Sequence, residues 1–322
     1  MHYKQAEKME IIRLVEQSDL GVIRTLDQIK VNKTTFYKWY NAYLKDGYDG
    51  LARKKSVRTG SWNRINNADR DTVVEIALSK PELSPRELAW SITDNYNYYI
   101  SESSVYRILK ENGLITTPSF MVMSASDSFT DKTVAVNQMW QTDFTYFKII
   151  GWGWYYLSTI LDDYSRYIVA WKLCANMRAE DVTATLDEAL MSADLKKRLP
   201  PKLLSDNGSC YISHELADYL DDKSIKHVRG RPLHPQTQGK IERYHRSMKN
   251  VVKLNNYFSP GQLEEKLTEF VEYYNHKRYH ESINNLTPAD VYFGTGERKL
   301  KRRKASKIKT LLERKKQYQN LT

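Results

Sequence analysis

The stretch HPQTQGKIERYHRSMK occupies residues 234–249 and changes character along its length. Pro235 has a fixed φ and disfavours a helical conformation at the residue before it, so the first part is predicted to be a loop. The second part contains no helix-stopping residue and is predicted to be a helix. On that helix Glu242, Arg246 and Lys249 share one face, at spacings i, i+4 and i+7. A carboxylate beneath two cations suits a metal ligand beside a phosphate-binding surface, provided that partner carboxylates exist elsewhere in the chain.

The composition predicts a water-soluble protein of more than one domain. A chain of 322 residues with 41% hydrophobic residues is long enough for two or three packed domains. No apolar run approaches the roughly 18 residues of a membrane span, and the first residues lack the apolar core of a signal peptide. The two cysteines, Cys174 and Cys210, are too few for a disulfide framework or a four-thiolate zinc site. We therefore expect a cytoplasmic protein with no membrane partner.

The net charge of +11 is concentrated at the two ends of the chain. Residues 298–316 hold 11 Lys and Arg residues against one Glu, and residues 1–60 hold 12 against seven acidic residues. The region between them is slightly acidic. This distribution is typical of a protein whose ends bind a polyanion, although basic tails also serve solubility.

Residues 1–52 are predicted to form a helix-turn-helix domain. Three short amphipathic segments follow one another, and Asn32 caps the third. Exposed polar side chains on that third helix, Lys33, Thr34 and Lys38, are the candidate DNA contacts. Trihelical domains also occur as packing modules, but the basic surface favours DNA binding.

A second helix-turn-helix domain is predicted at residues 67–115, after a basic linker at 53–66. Ser84, Pro85 and Glu87 form a capping-box sequence with proline at the first helical position. The candidate DNA contacts on its last helix are Tyr106, Arg107 and Lys110. A second linker, rich in Ser and Thr, is expected at 116–136.

Residues 137–294 are predicted to form an α/β domain with a mixed five-stranded sheet. Three β-rich runs come first, followed by helix, strand, helix, strand and a final helix. Residues 295–322 remain as a basic C-terminal tail. From Arg298 onward we expect this tail to be a mobile phosphate-binding arm.

Three acidic residues of this α/β domain are candidate metal ligands. Asp143 lies within an aromatic strand, Asp206 follows a short buried strand, and Glu242 begins the helix described above. Sites in open α/β sheets gather beyond the carboxyl ends of strands. Oxygen ligands without clustered His or Cys favour Mg²⁺ or Mn²⁺ over zinc. Taken singly, each acid also has an ordinary role: strand-edge charge, turn former or solvated helix residue.

Three motifs around these acids, WQTDFTY, LLSDNGSCY and HPQTQGKIERYHRSMK, resemble the catalytic blocks of DDE transposases of the retroviral integrase superfamily. The resemblance is greatest to bacterial insertion-sequence transposases with helix-turn-helix units before the catalytic core. Thirty-five residues separate Asp206 from Glu242, a spacing typical of this group. The similarity extends over about residues 5–294.

The resemblance implies a ribonuclease-H-like core that cleaves DNA strands and transfers them with two divalent ions. Asp143, Asp206 and Glu242 carry over as the catalytic metal ligands. Arg246 and Lys249 match cations that contact the DNA end, and Arg243 on the same helix is a further candidate. The implied partners are double-stranded DNA, namely terminal inverted repeats and target, and further copies of the chain assembled on it.

Weaker candidates and rival functions remain open. Asp162 and Asp163 fit a hairpin turn better than a metal site, and His245 is a candidate neighbour of the metal ligands. His234 is expected to contact DNA or orient its loop, and the loop at 234–239 to act as a mobile flap.

A DNA-binding protein without catalysis and a simple nuclease of the same fold are the alternatives. Strand-transfer products distinguish a transposase from both.

Overall fold

The computed structural model describes residues 3–18, 20–52, 61–115, 133–193, 195, 199–230, 238–252 and 257–321. The chain divides into two compact units, Met1–Ser61 and Trp62–Thr322. His234 and most of the predicted flap lie outside the described residues. The finer domain boundaries expected from the sequence stay predictions, because parts of both linkers also lie outside these ranges.

The first unit is a three-helix domain with its own core. Its helices are α1 (Gln5–Glu16), α2 (Val22–Gln28) and α3 (Lys33–Gly50). The Asn32 side chain accepts a hydrogen bond of 2.9 Å from the Thr34 backbone N–H, as the capping prediction requires. Asp46 and Gly47 have non-helical backbone angles, so α3 is kinked there and a further helical segment follows. Gly47 accommodates the kink with φ of 60°, a value that glycine adopts without a Cβ penalty.

The second unit begins with another three-helix group. Its helices are α4 (Asn67–Ser79), α5 (Pro85–Tyr96) and α6 (Glu102–Glu111). The predicted capping box is present: the Ser84 Oγ accepts from the Glu87 N–H while the Glu87 carboxylate accepts from the Ser84 N–H. Buried residues such as Leu88, Ile92 and Val105 form a separate core for this group.

A mixed five-stranded sheet follows in the described residues. Its strands are β1 (Met139–Ile149), β2 (Gly153–Asp162), β3 (Ile168–Cys174), β4 (Lys202–Ser205) and β5 (His227–Arg229). The order is β3-β2-β1-β4-β5, with β1, β2 and β3 antiparallel. Strand β4 lies parallel to β1, and β5 parallel to β4. The three-strand meander and the two later parallel strands agree with the sequence prediction.

Helices cover both faces of this sheet. They are α7 (Ala179–Ser192), α8 (His214–Asp222), α9 (Gly239–Val252), α10 (Pro260–His276) and the short α11 (Pro288–Tyr292). One core contains Trp140 and Ile160 together with α7 and α8 side chains, and the other contains Phe147 and Leu157 together with α9 and α10. No helix in the described part of the chain combines the length and apolar character that a membrane span requires.

The basic tail forms a single helix, α12 (Gly296–Leu321). Its buried seam is polar: Arg303, Ser306, Thr310 and Arg314. Nε and Nη2 of Arg303 donate to the two carboxylate oxygens of Asp94 on α5, each at 2.7 Å. The expectation of a mobile arm is therefore wrong for this seam, because charges assigned to phosphates are instead paired inside the unit.

Candidate active site

Asp143 and Asp206 belong to neighbouring segments of the sheet, β1 and the turn after β4. Gln141 of β1 pairs in parallel with Leu204 of β4. Each acid follows its paired residue by two positions, so the register, if extended past the end of β4, would place Asp143 and Asp206 side by side. Asp206 also accepts a hydrogen bond of 2.9 Å from the Gly208 N–H, which fixes the turn after β4.

The charges of Asp143 and Asp206 both affect the pKa values of two buried side chains, Cys210 and Tyr211. Burial, followed by the charges of Asp206 and Asp143, raises the pKa of the Cys210 thiol to about 11. Burial, with smaller contributions from the same two charges, also raises the pKa of Tyr211 well above its usual value. Both acids therefore contribute negative charge near Cys210 and Tyr211, which is consistent with the neighbouring positions of the two acids in the sheet.

An open cleft of about 660 Å³ lies between β1 and α9. Asp143 and Glu242 both line it, from opposite elements. Arg246 and Lys249, on the face of α9 that carries Glu242, line the same cleft. The structure thus brings together four of the predicted site residues. Asp206 and Arg243, both exposed, are not among the residues that line this cleft.

His245 contacts the first carboxylate directly. Its Nδ1 lies 3.3 Å from Oδ2 of Asp143. The ring is buried against Tyr244, and its Nε2 has no hydrogen-bond partner among the described residues. A proton on Nδ1 would donate to the carboxylate and orient it, the role expected for a neighbour of the metal ligands.

A polar network anchors the start of α9. Lys240 Nζ donates to Oδ2 of Asp163 at 2.6 Å, and Gln141 Nε2 donates to Oδ1 of the same carboxylate at 2.7 Å. The side-chain oxygen of Gln141, Oε1, accepts a hydrogen bond from the Ile241 N–H at 3.1 Å. This network links β1, the end of β2 and the helical turn that bears Glu242.

The two acids at the end of β2 are structural. Oδ2 of Asp162 accepts hydrogen bonds from the Ser165 N–H at 2.8 Å and the Ser165 hydroxyl at 2.6 Å. Burial raises the pKa of Asp162 despite these bonds. The turn prediction is confirmed for Asp162. The Asp163 carboxylate accepts hydrogen bonds from Lys240 and Gln141 at the start of α9 and is not among the residues that line the cleft.

The predicted DNA contacts of the helical groups are accessible on their own helices. Lys33, Thr34 and Lys38 are exposed on α3. On α6, Arg107 and Lys110 are exposed and Tyr106 is half-buried, with Lys110 Nζ 5.9 Å from its ring centroid. These exposures are compatible with nucleic-acid contacts, and the assignments stay predictions.

Carboxylate oxygens are the type of donor atom that a divalent cation such as Mg²⁺ prefers. Asp143 and Glu242 offer hard oxygen donors to one open cleft, and Asp206 stands on the neighbouring strand end. Among the described residues, however, no three His, Cys, Asp or Glu side chains are grouped closely enough to hold a metal ion. The fit therefore rests on donor chemistry and strand register, and the ligand assignment stays a prediction.

Family models match most of the chain. Residues 134–235 and 223–288 match two models described as "Integrase core domain". Residues 2–52 and 35–109 match models described as "Homeodomain-like domain". Residues 134–288 are therefore similar to integrase core domains, and residues 2–109 to homeodomain-like domains. The predicted fold class, an α/β ribonuclease-H-like core after helical DNA-binding-type domains, is confirmed.

Curated relatives include a transposase and several retroviral polyproteins. The transposase for transposon Tn552 of Staphylococcus aureus is 24% identical, with 85% of this chain and 65% of the relative covered. The Gag-Pro-Pol polyprotein of squirrel monkey retrovirus is 32% identical over 36% of this chain and 6% of the relative. This chain thus spans slightly less than two thirds of the first relative's length and a small part of the second's.

Solved structures with a similar chain include retroviral integrase domains. The HTLV-2 integrase catalytic core domain in complex with magnesium is 20% identical, with a TM-score of 0.40. The aligned region covers 49% of this chain and 98% of the integrase domain. The catalytic core domain of BIV integrase is 23% identical, with a TM-score of 0.39, over 51% of this chain and 99% of its own.

Sequence reasoning missed the residues that support the site. Gln141 stands two positions before Asp143, and its alternation with that acid was the one available signal. Lys240 and Asp163 are 77 positions apart, so nothing local indicates their ion pair. Tyr146, which lines the cleft, was passed over as one of many aromatic strand residues.

Proposed function

We propose that this chain is a DNA transposase that cleaves and joins the ends of an insertion sequence by metal-dependent phosphoryl transfer. The observation that carries the proposal is the cleft in which Asp143 on β1 faces Glu242, Arg246 and Lys249 on α9. Acidic groups and cations on one wall suit a phosphodiester beside divalent ions. The integrase core domain and the Tn552 relative, itself a transposase, support the reaction class.

Asp143, Asp206 and Glu242 would hold two ions, Mg²⁺ or Mn²⁺. When bound, such ions activate an attacking oxygen and stabilise a leaving oxygen in an in-line displacement. His245 would orient the Asp143 carboxylate. Lys240, Asp163 and Gln141 would fix the turn that presents Glu242, while Arg246 and Lys249 bind phosphates of the DNA end.

The homeodomain-like domains would bind the terminal inverted repeats of the element. The exposed Lys33, Thr34 and Lys38, and separately Tyr106, Arg107 and Lys110, are their proposed DNA contacts. Joining two ends to a target needs more than one active site, so we propose that several copies assemble on DNA. The protein would act in the bacterial cytoplasm, bound to the nucleoid.

Glu242→Gln separates catalysis from binding, because it removes a charge while it keeps the size of an exposed side chain. A labelled duplex is designed from the DNA that flanks the coding sequence, which contains the repeat if the proposal is correct. We expect the variant to bind the duplex like the wild type in Mg²⁺ but to yield no cleaved or joined product. Joining by the variant would refute the site, and wild-type binding without any joining would favour a non-catalytic DNA-binding protein. Hydrolysis alone would favour a nuclease.

A further inference from the structure

The β1–β2 hairpin extends an aromatic and cationic surface away from the cleft. Tyr146 and Trp154 remain 54% and 50% exposed, although large aromatic side chains are usually much more buried. The strand register places Tyr146 opposite Tyr156 and Lys148 opposite Trp154. Side chains at directly paired and diagonal positions share one face of a sheet, so these residues form one continuous surface.

The two exposed rings contact each other and are flanked by cations. The ring centroids of Tyr146 and Trp154 lie 5.4 Å apart at an interplanar angle of 71°. Lys148 Nζ lies 5.6 Å from the Trp154 centroid, and Lys249 Nζ lies 4.7 Å from the Tyr146 centroid. We call these four residues, Tyr146, Lys148, Trp154 and Lys249, the aromatic platform. It is continuous with the cleft, because Tyr146 and Lys249 also line that cleft.

The combination of exposed rings and cations matches the chemistry of an unpaired nucleic-acid strand. Bases stack on aromatic side chains whatever their identity, while adjacent cations follow the phosphates. A protein partner would instead favour a ring surface depleted of lysine. The edge of β1 beyond Gln141 has no paired strand on its outer side in the described residues, so the approach from the cleft to the platform is open.

We propose that the aromatic platform stacks unpaired bases of the DNA strand next to the bond held in the cleft. The inference rests on the proposed function, since it assigns the occupant of a surface that adjoins the proposed catalytic carboxylates. It adds a binding site for single-stranded DNA to a protein whose other proposed contacts are to duplex DNA.

The test measures the contribution of bases separately from that of phosphates. Fluorescence anisotropy of the full chain compares a labelled oligothymidylate with an abasic oligonucleotide of equal length, with excess unlabelled duplex to occupy duplex-binding surfaces. We expect the wild type to prefer the thymidylate strand by about fivefold or more, the loss expected for one stacked base. Tyr146→Ala and Trp154→Ala should reduce that preference several-fold and leave the affinity for the abasic strand largely unchanged.

Matched variants guard against loss of folding and against another occupant. Trp154→Leu keeps apolar volume and should behave like Trp154→Ala, whereas Trp154→Phe keeps a ring and should retain most of the preference. Phe258→Ala removes an exposed ring outside the platform and should bind like the wild type. Equal wild-type affinity for both strands would overturn the inference, as would an equal loss in Phe258→Ala. A change in sedimentation with unchanged strand preference would indicate a surface between copies of the chain.

Joining assays keep this result distinct from the proposed function. A wild type that joins DNA while platform variants keep the thymidylate preference refutes only the platform. A wild type that shows the preference but never cleaves or joins DNA refutes the transposase reaction and leaves a single-strand binding surface.

Discussion

The ammonium group of Lys240 lies 2.6 Å from Oδ2 of Asp163 and ties the first turn of α9 to the end of β2. The carboxylate is almost wholly buried, and Gln141 donates to its other oxygen. Since Glu242 lies two residues after Lys240, the ion pair fixes the backbone turn from which the Glu242 side chain extends. The contact therefore connects the stability of the core to the geometry of the cleft.

We predict that Lys240→Met weakens both stability and catalysis. It leaves the Asp163 charge buried without its cation. Loss of one partner from a fully buried pair costs about 3–5 kcal/mol, and we expect about 2 kcal/mol here because Lys240 is partly solvated. Denaturant titration should show that loss, and strand joining should fall about tenfold or more while duplex affinity changes little.

The matched control is Lys266→Met, which removes an exposed i,i+3 pair with Glu269. Its cost should stay below about 0.5 kcal/mol, with joining unaffected. Equal effects of the two substitutions would contradict the anchoring role of the Lys240 pair.

We predict a larger stability loss when the pair between α12 and α5 is broken. The side chains of Arg303 and Asp94 are 5% and 4% exposed, so Arg303→Met leaves a buried carboxylate without its forked partner. Lys299 Nζ, 3.4 Å from Oδ2 of Asp94, still faces this carboxylate in the variant, so we expect a cost of about 3 kcal/mol, measured by denaturant unfolding. Proteolysis within 296–321 should become faster than in the wild type.

Lys309→Met is the control on the same helix. Lys309 is 73% exposed, and its Nζ lies 4.0 Å from Glu313 Oε1, a long distance for an ion pair. It should change the free energy of unfolding by less than about 0.5 kcal/mol. If Arg303→Met were equally mild, α12 would be held by something other than this pair.

The sequence predicted local structure well and long-range pairing poorly. Asn32 and Ser84 allowed the starts of their helices to be predicted, because a capping residue interacts with backbone groups within three residues of it. The motif around Asp143 located the strand that carries it, and the resemblance supplied its expected partners. The register that aligns Asp143 with Asp206 and the ion pair of Arg303 with Asp94 join distant segments. No local pattern contains that information, because such contacts depend on how the whole chain packs.

The structure of the basic tail differs from the predicted mobile arm for a related physical reason. A dense run of Lys and Arg, such as 298–316, looks the same in sequence whether its charges face solvent or partners in the fold. The polar spacing of Arg303, Ser306, Thr310 and Arg314 follows one helical face, but nothing in composition indicates a buried seam without apolar residues.

We predict that His280 makes the protein less stable in acid. Burial, followed by the charges of Arg278, Arg166 and Arg86, lowers the pKa of His280 from 6.5 to about 3. Between these values the unfolded chain binds a proton that the folded chain does not. Stability from this residue is therefore present above about pH 6.5 and is lost as the pH falls towards 3.

His280→Phe should reduce this slope because it keeps a ring against Tyr274 without a titrating nitrogen. Denaturant unfolding at a series of pH values provides the measurement. His214→Phe, at an exposed position on α8, should keep the wild-type slope. An unchanged slope in His280→Phe would mean that this histidine is not the source of the acid sensitivity.

Asp206 is the proposed metal ligand that does not line the cleft, so its substitution tests the three-carboxylate site. Asp206→Asn keeps an oxygen able to accept from the Gly208 N–H and removes the charge. Joining of a labelled repeat duplex in Mg²⁺ is compared with that of the wild type and of Asp222→Asn, whose acid is exposed on α8. We predict that Asp206→Asn binds the duplex normally and loses joining by about a thousandfold or more, while Asp222→Asn joins normally. Wild-type joining by Asp206→Asn would contradict this prediction.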